Sequence, residues 1–557
     1  MKKISIVLLW VFALQTVSAQ DALLNVLESE LDRNFSVLKQ QEPVPAYYLS
    51  YRVEDVESYT INTNFGSVRT SNPSKQRALH TVVRVGSPEL DNTHELKGNQ
   101  YSDPYYVGTT LIAFEDNSPL SLKMSLWAKT DQTYKDAIKL FERVKANVAV
   151  TVEAEDKSPD FSTQTPTQFY EKPIEFKSLG FNAKQWEKKL QEYSAVFKES
   201  KEILSGTAYM NVELVRKYFI DTEGTKIVEN SYRCNLQLNA SVIADDGMQM
   251  PLYKSYFVFD VKDLPKDDQI IKDIRQMTQT LLALKKAPMA EVYSGPAILT
   301  PEASSVFFHE IFGHRIEGAR LKQEEDAQTF KNKVGSLVLP EDFSVIFDPQ
   351  LKEYKKYLLA GHYKYDDEGV RGEKVTVVEN GILKSFLMNR VPINGFPKSN
   401  GHGRAMIYYN TVTRQSNMFI ETSKPRSNEE LRKMLIDEAK KNNNEYGYLF
   451  DQVSGGFTST GRYSPNAFNV TPLVVYRIYV DGRPDELVRG VNLVGTPLAM
   501  FSQITAAGND SGIFNGMCGA ESGQIPVAAV SPSIFVKMVE TQKQSKSQIQ
   551  PPILERP

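Results

Sequence analysis

The sequence is poor in cysteine and histidine, with two cysteines and six histidines among 557 residues. Two cysteines allow at most one disulfide bond, so a disulfide-rich scaffold is excluded. There is also no surplus of positive charge, because 65 lysine and arginine residues stand against 68 acidic ones, and this balance gives no sign of a nucleic-acid-binding surface. No repeat of fixed period is visible. A chain of this length is expected to form more than one globular domain.

Long apolar runs are absent except at the N-terminus. Two lysines precede an apolar run from Ile4 to Leu14, and residues 17–19 supply a cleavage position before Gln20. This pattern predicts a secretory signal peptide over residues 1–19 and a periplasmic or secreted mature protein. No later segment approaches the eighteen or so apolar residues of a membrane-spanning helix, so no membrane anchor is expected after cleavage.

The few histidines matter because two of them enclose a glutamate. His309, Glu310 and His314 lie in the segment HEIFGH, and Thr300 and Pro301 before it suit the N-cap and first position of a helix. The segment between is apolar on nearly every side, which predicts a helix buried inside a domain. Two imidazoles that bind a metal ion and a carboxylate that activates water are the residue set of a metal hydrolase.

The spacing of these histidines differs from that of the common zinc helix. In the HExxH motif the ligands are four residues apart and face one ion, whereas His309 and His314 are five apart, roughly 140° around an ideal helix. The extra residue must be absorbed by a π-bulge or by unwinding at Gly313. Spacing alone leaves open the alternative that both are ordinary core or surface histidines.

A third ligand has to come from elsewhere in the chain. Cys234 alternates with polar residues in SYRCNLQLNA, which predicts a half-buried strand with the cysteine on its core face. Cys518 lies in the glycine-dense segment GNDSGIFNGMCGAESGQIP, where the backbone can come close to an ion. Cys518 is therefore the better ligand candidate. A disulfide between the two cysteines is the competing possibility in an oxidising compartment.

These segments resemble a known family. HEIFGHRIEG and GMCGAESGQIPVAAVSPS, with YDDEGVRGEKVTVVENGILKSFLMNR, SNGHGRA, FDQVSGGFTST and VRGVNLVGTPLAMFSQI between them, are similar in kind and order to the TldD/PmbA metallopeptidases, specifically the metal-bearing TldD branch. The resemblance covers roughly residues 290–540. In the PmbA (TldE) branch the HExxxH motif is degenerate, so the motif present here indicates an active subunit.

The resemblance implies a zinc ion held by His309, His314 and Cys518, with Glu310 as the general base. Two neutral imidazoles and one thiolate leave the fourth position of such an ion open for water. His402 and Arg404 in SNGHGRA are candidates for contacts with the substrate or the oxyanion. Their alternative role is purely structural, in a Gly-rich turn.

Hydrophobic periodicity and turn residues predict an α+β fold, with mixed elements in the first half and mainly strands in the second. Helices are predicted at 21–39, 131–146, 183–200, 266–285 and 428–441, besides the helix that begins at Pro301. Strands are predicted at 47–53, 78–85, 207–220, 226–245, 253–261, 406–413, 473–480 and 534–539, with a hairpin at 374–388 around Asn380-Gly381. The polar segment 155–168 is expected to be a surface loop, the alternative being a flap over the substrate.

The resemblance adds an architecture to these elements. It implies an N-terminal α/β domain with a mixed sheet, followed by a β-rich, barrel-like C-terminal domain that carries the metal helix. The predicted parts are the signal peptide at 1–19, the N-terminal domain at 20–287, the metallopeptidase domain at 288–541 and a disordered tail at 542–557.

The leading hypothesis is an exported zinc-dependent peptidase that acts on extended or unfolded peptides. The family's pairing implies a homodimer, or a heterodimer with a TldE/PmbA-like subunit. A second hypothesis is a non-catalytic or assembly subunit with a structural zinc, in which Glu310 would serve no purpose. A third is a metal amidase of deformylase-like chemistry, because peptide deformylases share the ligand set and the adjacent glutamate.

Overall fold

The computed structural model describes residues 21–97, 110–112, 119–150, 155–323, 326, 329–458, 460, 468–544 and 554. The predicted signal peptide and most of the predicted tail lie outside the described residues. The α-helices are α1 Ala22–Leu38, α2 Pro119–Val150, α3 Ala183–Val196, α4 Asp267–Lys286, α5 Pro301–Ile311, α6 Gly318–Lys322, α7 Asn428–Lys441 and α8 Pro497–Phe501.

The strands fall into three larger sheets and two short pairs. They are β1 Ala46–Asn64, β2 Ser67–Ser87, β3 Leu90–Asp91, β4 Thr110–Ile112, β5 Gln168–Tyr170, β6 Ser205–Asp221, β7 Lys226–Ile243, β8 Gln249–Val258, β9 Tyr293–Leu299, β10 Phe343–Phe347, β11 Glu353–Tyr354, β12 Tyr357–Leu358, β13 Val375–Glu379, β14 Ile382–Leu383, β15 Gly403–Arg404, β16 Val412–Thr413, β17 Asn417–Thr422, β18 Tyr446–Thr458, β19 Phe468–Tyr479, β20 Glu486–Val488, β21 Val491–Gly495, β22 Ile504–Ala507, β23 Gly512–Ala520, β24 Gly523–Ser531 and β25 Ile534–Lys543.

The first half of the chain forms one eight-stranded sheet. Its order is β3-β2-β1-β6-β7-β5, with β4 beside β2 and β8 beside β7. The pairs are antiparallel except β5 with β7, which is parallel, so the sheet is mixed. Cys234 lies on β7 with no exposed surface, which confirms its predicted core position.

A closed barrel of five strands forms the centre of the second half. β9 pairs with β25 and β18, β25 with β21, β21 with β19, and β19 with β18, which completes the ring. Each of these five strands therefore has a paired neighbour on both sides, so the ring has no edge strand. The predicted mixed α+β fold with a barrel-like part is thereby confirmed.

A second sheet in this half has the order β14-β13-β10-β17-β24-β23. Its hairpin β13–β14 turns at Asn380 and Gly381, which both have positive φ of 48° and 78°, as the predicted type I′ turn requires. Helix α5 packs between this sheet and the barrel, and every residue from Ala303 to Ile311 is buried.

Most predicted helices agree closely with the structure, and α7 has the predicted bounds. The strand predicted at 406–413 is wrong over most of its length, because only Val412 and Thr413 are in a strand. There the main chain forms a turn instead, in which Tyr409 N–H donates to the carbonyl of Met406. Strand β25 continues to Lys543, two residues into the predicted tail. Among the described residues, no helix is long and apolar enough to cross a membrane.

Candidate metal centre

Helix α5 begins where barrel strand β9 ends. Pro301 occupies the first turn and Thr300 the N-cap, as predicted, but the Thr300 side chain does not cap the helix. Its hydroxyl donates instead to the carbonyl of Asp451 on β18, at 2.7 Å. The start of α5 is thus fastened to the barrel, which fixes where the helix lies relative to the strands.

Helix α5 ends one residue before Phe312, and a 3₁₀ turn from Gly313 to Arg315 follows. Of the two predicted ways to absorb the extra residue, unwinding at Gly313 is the one observed. A Cβ atom on Gly313 would collide with the side-chain amide of Gln415, so the turn needs glycine there. The change of helix type brings the rings of His309 and His314 to 5.0 Å between centroids.

The structure brings His309, His314 and Cys518 together. Nε2 of His309 lies 3.2 Å from Sγ of Cys518, and Nε2 of His314 lies 3.4 Å from the same sulfur. The three potential ligand atoms lie within 4.8 Å of one another, and all three residues are buried. Tetrahedral zinc with ordinary bond lengths separates its nitrogen and sulfur ligands by roughly 3.5 Å, so this donor set fits a zinc ion. Both cysteines are free, which rules out the alternative disulfide.

The electrostatics of the cluster favour a cation. Burial alone would raise the pKa of Cys518, but the two imidazoles outweigh it and hold the pKa well below its usual value. Burial alone would lower the pKa of His314, but Cys518 and Glu317 raise it to about 10. Thiolate is the form of cysteine that binds metals, and the negative charge of sulfur and carboxylate attracts a positive ion to this place.

Glu310 occupies the position next to His309 and is buried. Its side chain lies over Gly456 of β18, where a Cβ atom would collide with Cγ of Glu310. Its carbonyl accepts a hydrogen bond from Nη1 of Arg315 at 2.9 Å. The SGG segment of β18 therefore leaves room for the Glu310 side chain, a role of Gly456 that sequence patterns do not predict.

His402 and Arg404 lie on a neighbouring segment with their polar atoms engaged inside the protein. Nδ1 of His402 contacts Oδ1 of Asn400 at 3.0 Å, and its Nε2 contacts Oγ of Ser416 at 3.0 Å. Burial lowers the pKa of His402 to about 3, so the ring is neutral. Nη1 of Arg404 donates to the carbonyls of Gln415 and Pro526. These contacts favour the structural alternative, and a role at the substrate stays a prediction.

Three further residues support the cluster, and the sequence patterns do not predict their roles. Nδ1 of His314 contacts Oε2 of Glu317 at 3.1 Å. Nη2 of Arg414 donates to the carbonyl of Cys518 at 2.7 Å, and Nε2 of Gln415 donates to that of His309. Glu317 stands three residues after His314, a spacing that offered a signal. Arg414 and Gln415 are about a hundred residues away from their partners, and nothing local marks them.

Glu317 is held as an anion. Burial alone would raise the pKa of its carboxyl group, but His314 and Arg320 outweigh burial and lower the pKa to about 2. Nε of Arg320 donates to Oε2 of Glu317 at 2.7 Å. A carboxylate that accepts from the second nitrogen of a ligand imidazole is the usual support of a metal-binding histidine.

Residues 293–543, which contain the barrel and this cluster, match the family model of the PmbA/TldA metallopeptidase C-terminal domain. The matched range begins at β9 and ends with β25, so it contains the whole barrel, α5 and Cys518. The second half of the chain is therefore similar to a domain of known type, with the candidate site inside it.

Several curated relatives are named metalloproteases. A metalloprotease of Methanocaldococcus jannaschii is 28% identical over 314 residues, which covers 56% of this chain and 64% of the relative. A zinc metalloprotease TldD homolog of Saccharolobus solfataricus is 26% identical over 338 residues, covering 59% of this chain and 69% of the relative. The chain thus matches just under two thirds of the length of the first of these relatives.

Solved structures show the same fold over nearly the whole chain. TldE of Thermococcus kodakarensis has a TM-score of 0.61 at 15% identity, covering 94% of this chain and all of that one. At this identity the similarity concerns the fold alone. Together, the domain match and the curated relatives show that the second half of the chain is similar to the PmbA/TldD metallopeptidases.

Proposed function

We propose that this protein is a zinc-dependent peptidase of the metal-bearing TldD branch. The observation that carries the proposal is the buried convergence of His309, His314 and Cys518, with Glu310 buried at the position next to His309 in the sequence. Within the described parts of the chain three such ligands converge, the number typical of a catalytic zinc site, whereas structural sites use four.

The residues have distinct roles in this proposal. His309, His314 and Cys518 would hold the ion, which when bound supplies Lewis-acid chemistry that makes water acidic and polarises a carbonyl group. Glu310 accepts the proton of the attacking water on its carboxylate and returns it to the leaving amine. The buried position of Glu310, against Gly456, keeps bulk water from competing for that proton.

Extended peptides are the proposed substrates because of where Cys518 lies. Cys518 is on β23, which is the edge strand of its sheet among the described residues. An edge strand offers main-chain donors and acceptors to a second extended segment, whereas a folded domain cannot present one easily. An unfolded chain therefore fits this position best.

The proposal includes an exported protein and a partner. Export rests on the N-terminal lysines and apolar run. Pairing, as a homodimer or with a TldE/PmbA-like subunit, rests on the family resemblance. Zinc suits an oxidising compartment because it has no redox chemistry of its own. Detection of the mature chain in a periplasmic or culture fraction, and light scattering on it, would test both statements.

Elemental analysis combined with peptide cleavage tests the proposal. The mature chain is compared with Glu310→Gln and Cys518→Ser, and each variant has a matched control: Glu302→Gln on the same helix and Cys234→Ser on β7. We expect about one zinc per chain in all but Cys518→Ser, and cleavage lost in both site variants but retained in both controls.

Two outcomes would point to the alternative functions. Zinc retained in Cys518→Ser, or cleavage retained in Glu310→Gln, would reject the proposed site and favour a structural metal in an assembly subunit. Hydrolysis of formylated peptides at the formyl group, without cleavage of unmodified ones, would favour a deformylase-like amidase.

A further inference from the structure

Glu317 is a buried carboxylate to which the proposed reaction gives no role. It has no exposed surface and lies at the start of α6, after the turn that carries His314. Burying a charged carboxylate is costly unless it is paired and hydrogen-bonded. Glu317 is paired three times: with His314, with Arg320 and, at 3.8 Å, with Nε of Arg414.

The contact with His314 uses the ring nitrogen that points away from the cluster. Nε2 of His314 lies 3.4 Å from Sγ of Cys518, while Nδ1 lies 3.1 Å from Oε2 of Glu317. A carboxylate flanked by two guanidinium groups accepts hydrogen bonds only, so Nδ1 must be the donor. A neutral imidazole with its proton on Nδ1 has its lone pair on Nε2, where a metal ligand needs it.

The two arginines connect this carboxylate to the hairpin β23–β24, which carries Cys518. Arg414 has no exposed side-chain surface and donates to the carbonyl of Cys518 and, through Nη1, to Oγ of Ser522 at 2.7 Å. Arg320 donates through Nη2 to the carboxylate of Glu521. Glu317 therefore links the two parts of the chain that meet at the cluster, by hydrogen bonds through Arg320 and by an ion pair with Arg414.

We propose that Glu317 is the positioning residue of the metal centre. When an ion displaces one proton from His314, Glu317 keeps the remaining proton on Nδ1 and so leaves Nε2 to the ion. Through Arg414 and Arg320, Glu317 also fixes the distance from His314 to the Cys518 hairpin. This inference rests on the proposed zinc site. Loss of such a supporting carboxylate typically lowers metal affinity by roughly 10- to 100-fold.

Glu317→Asp is the variant that tests this role most directly. Aspartate keeps the negative charge between the arginines, so the buried charge balance survives, but its shorter side chain draws back from Nδ1 of His314. The matched control is Glu30→Asp, because Glu30 is also buried and also pairs with an arginine three residues later, on α1, away from the cluster. Both variants are made in the full mature chain.

The first readout is zinc affinity, measured by competition with a chelator at fixed pH. We expect affinity to fall roughly 10- to 100-fold in Glu317→Asp and to stay unchanged in Glu30→Asp. Thermal unfolding of the metal-free proteins shows whether each variant folds. If Glu317→Asp fails to fold, the same titration on Arg414→Lys takes its place. Lysine keeps the charge but cannot donate to the Cys518 carbonyl and to Ser522 as the two guanidinium nitrogens do.

The second readout is the visible spectrum of the protein loaded with cobalt(II). A thiolate and two imidazoles around cobalt give absorption bands that depend on ligand geometry, so we expect altered bands in Glu317→Asp and parental bands in Glu30→Asp. Parental affinity together with parental bands in Glu317→Asp would overturn the positioning role. If the unmodified protein itself binds no zinc, the proposed function fails instead, and the two failures are thereby distinguished.

Discussion

Glu317 and Asp366 are two buried carboxyl groups, of which the first is ionised and the second is neutral at pH 7. Glu317 lies between Arg320 and Arg414, and its pKa is lowered to about 2. Asp366 accepts main-chain N–H groups of Glu368, Val370 and Gly403, and burial together with the neighbouring carboxylate of Glu368 raises its pKa to about 8. Burial penalises both charges, so the sign of the neighbours decides the outcome.

The difference separates support of the metal centre from support of the fold. The carboxylate beside His314 keeps a fixed negative charge that a cation and its ligands can use. The group in the YDDEG segment is neutral through most of the physiological range and serves as a hydrogen-bond acceptor for a tight loop. Variants that remove a charged neighbour, or the carboxyl group itself, should therefore affect Glu317 and Asp366 in different ways.

Removing the positive neighbour of Glu317 should have the largest effect. Arg320→Met leaves Glu317 and Glu521 without their shared partner, and breaking a buried pair on one side costs about 3–5 kcal/mol of the free energy of unfolding. Urea unfolding of the metal-free protein measures this loss in the free energy of unfolding. Arg33→Met, the partner of Glu30 on α1, is the control, and a loss no greater than in that control would contradict the comparison.

Removing the charge of Glu317 itself should give a pH-dependent loss. The pKa in the folded state, about 2, is below the ordinary 4.5, so the carboxylate stabilises the fold above pH 4.5 and this stabilisation is lost as the pH falls toward 2. The difference in free energy of unfolding between the parent and Glu317→Gln, about 2–4 kcal/mol at pH 7, should therefore shrink in acid. If the difference in free energy of unfolding stays constant from pH 7 to pH 3, the pKa of Glu317 is not lowered in the folded state.

Glu310 is a third buried carboxylate. Among the described residues its neighbour is Gly456, whose missing side chain leaves room for it, and not an arginine that pairs with it. Gly456→Ala puts a methyl group against Cγ of Glu310 and should displace the carboxylate from the cluster. We expect peptide cleavage to fall by roughly 10- to 100-fold with zinc content unchanged, because a small misplacement of a reacting group costs about that much. Ser454→Ala, at an exposed position two residues earlier on the same strand, is the neighbouring control.

The smallest effect is expected at Asp366. Its raised pKa means that its contribution to stability is fully present below pH 3.8 and is lost as the pH rises through about 8. Asp366→Asn cannot accept the Gly403 N–H as well and should cost about 1 kcal/mol near pH 5. Because asparagine does not titrate, this deficit should shrink at pH 9, and a deficit that grows with pH would show that Asp366 is ionised in the parent.

Local signals in the sequence predicted much of the fold. The N-cap and proline before α5, the Asn-Gly turn between β13 and β14 and the capped helix α7 are specified by a few adjacent residues. The same applies to the two histidines and Glu310, which one helix and one turn carry. Where a structure depends on neighbours in sequence, the pattern was sufficient.

Features that depend on contacts between residues far apart in the sequence cannot be predicted from local sequence signals. Strands β1 and β2 are much longer than predicted, because their polar halves lack the alternation of a buried face and are held by pairing with each other and with β6. Family resemblance and its glycines point to Cys518, whereas Arg414 contacts Cys518 and Ser522 only through the tertiary fold, so nothing in the sequence predicts its role. A hydrogen bond between residues far apart in the chain produces no periodic pattern in the sequence, so it cannot be predicted from one.

The closed barrel also sets an order of events during synthesis. β9, the first strand of the ring, pairs with β25, the last, and Cys518 is made more than two hundred residues after His309. When α5 and the turn after it have been made, the chain holds His309 and His314 without their sulfur partner, in a ring that cannot yet close. In the proposed peptidase the metal site can therefore form only after nearly the whole domain exists, so an incomplete chain cannot cleave itself.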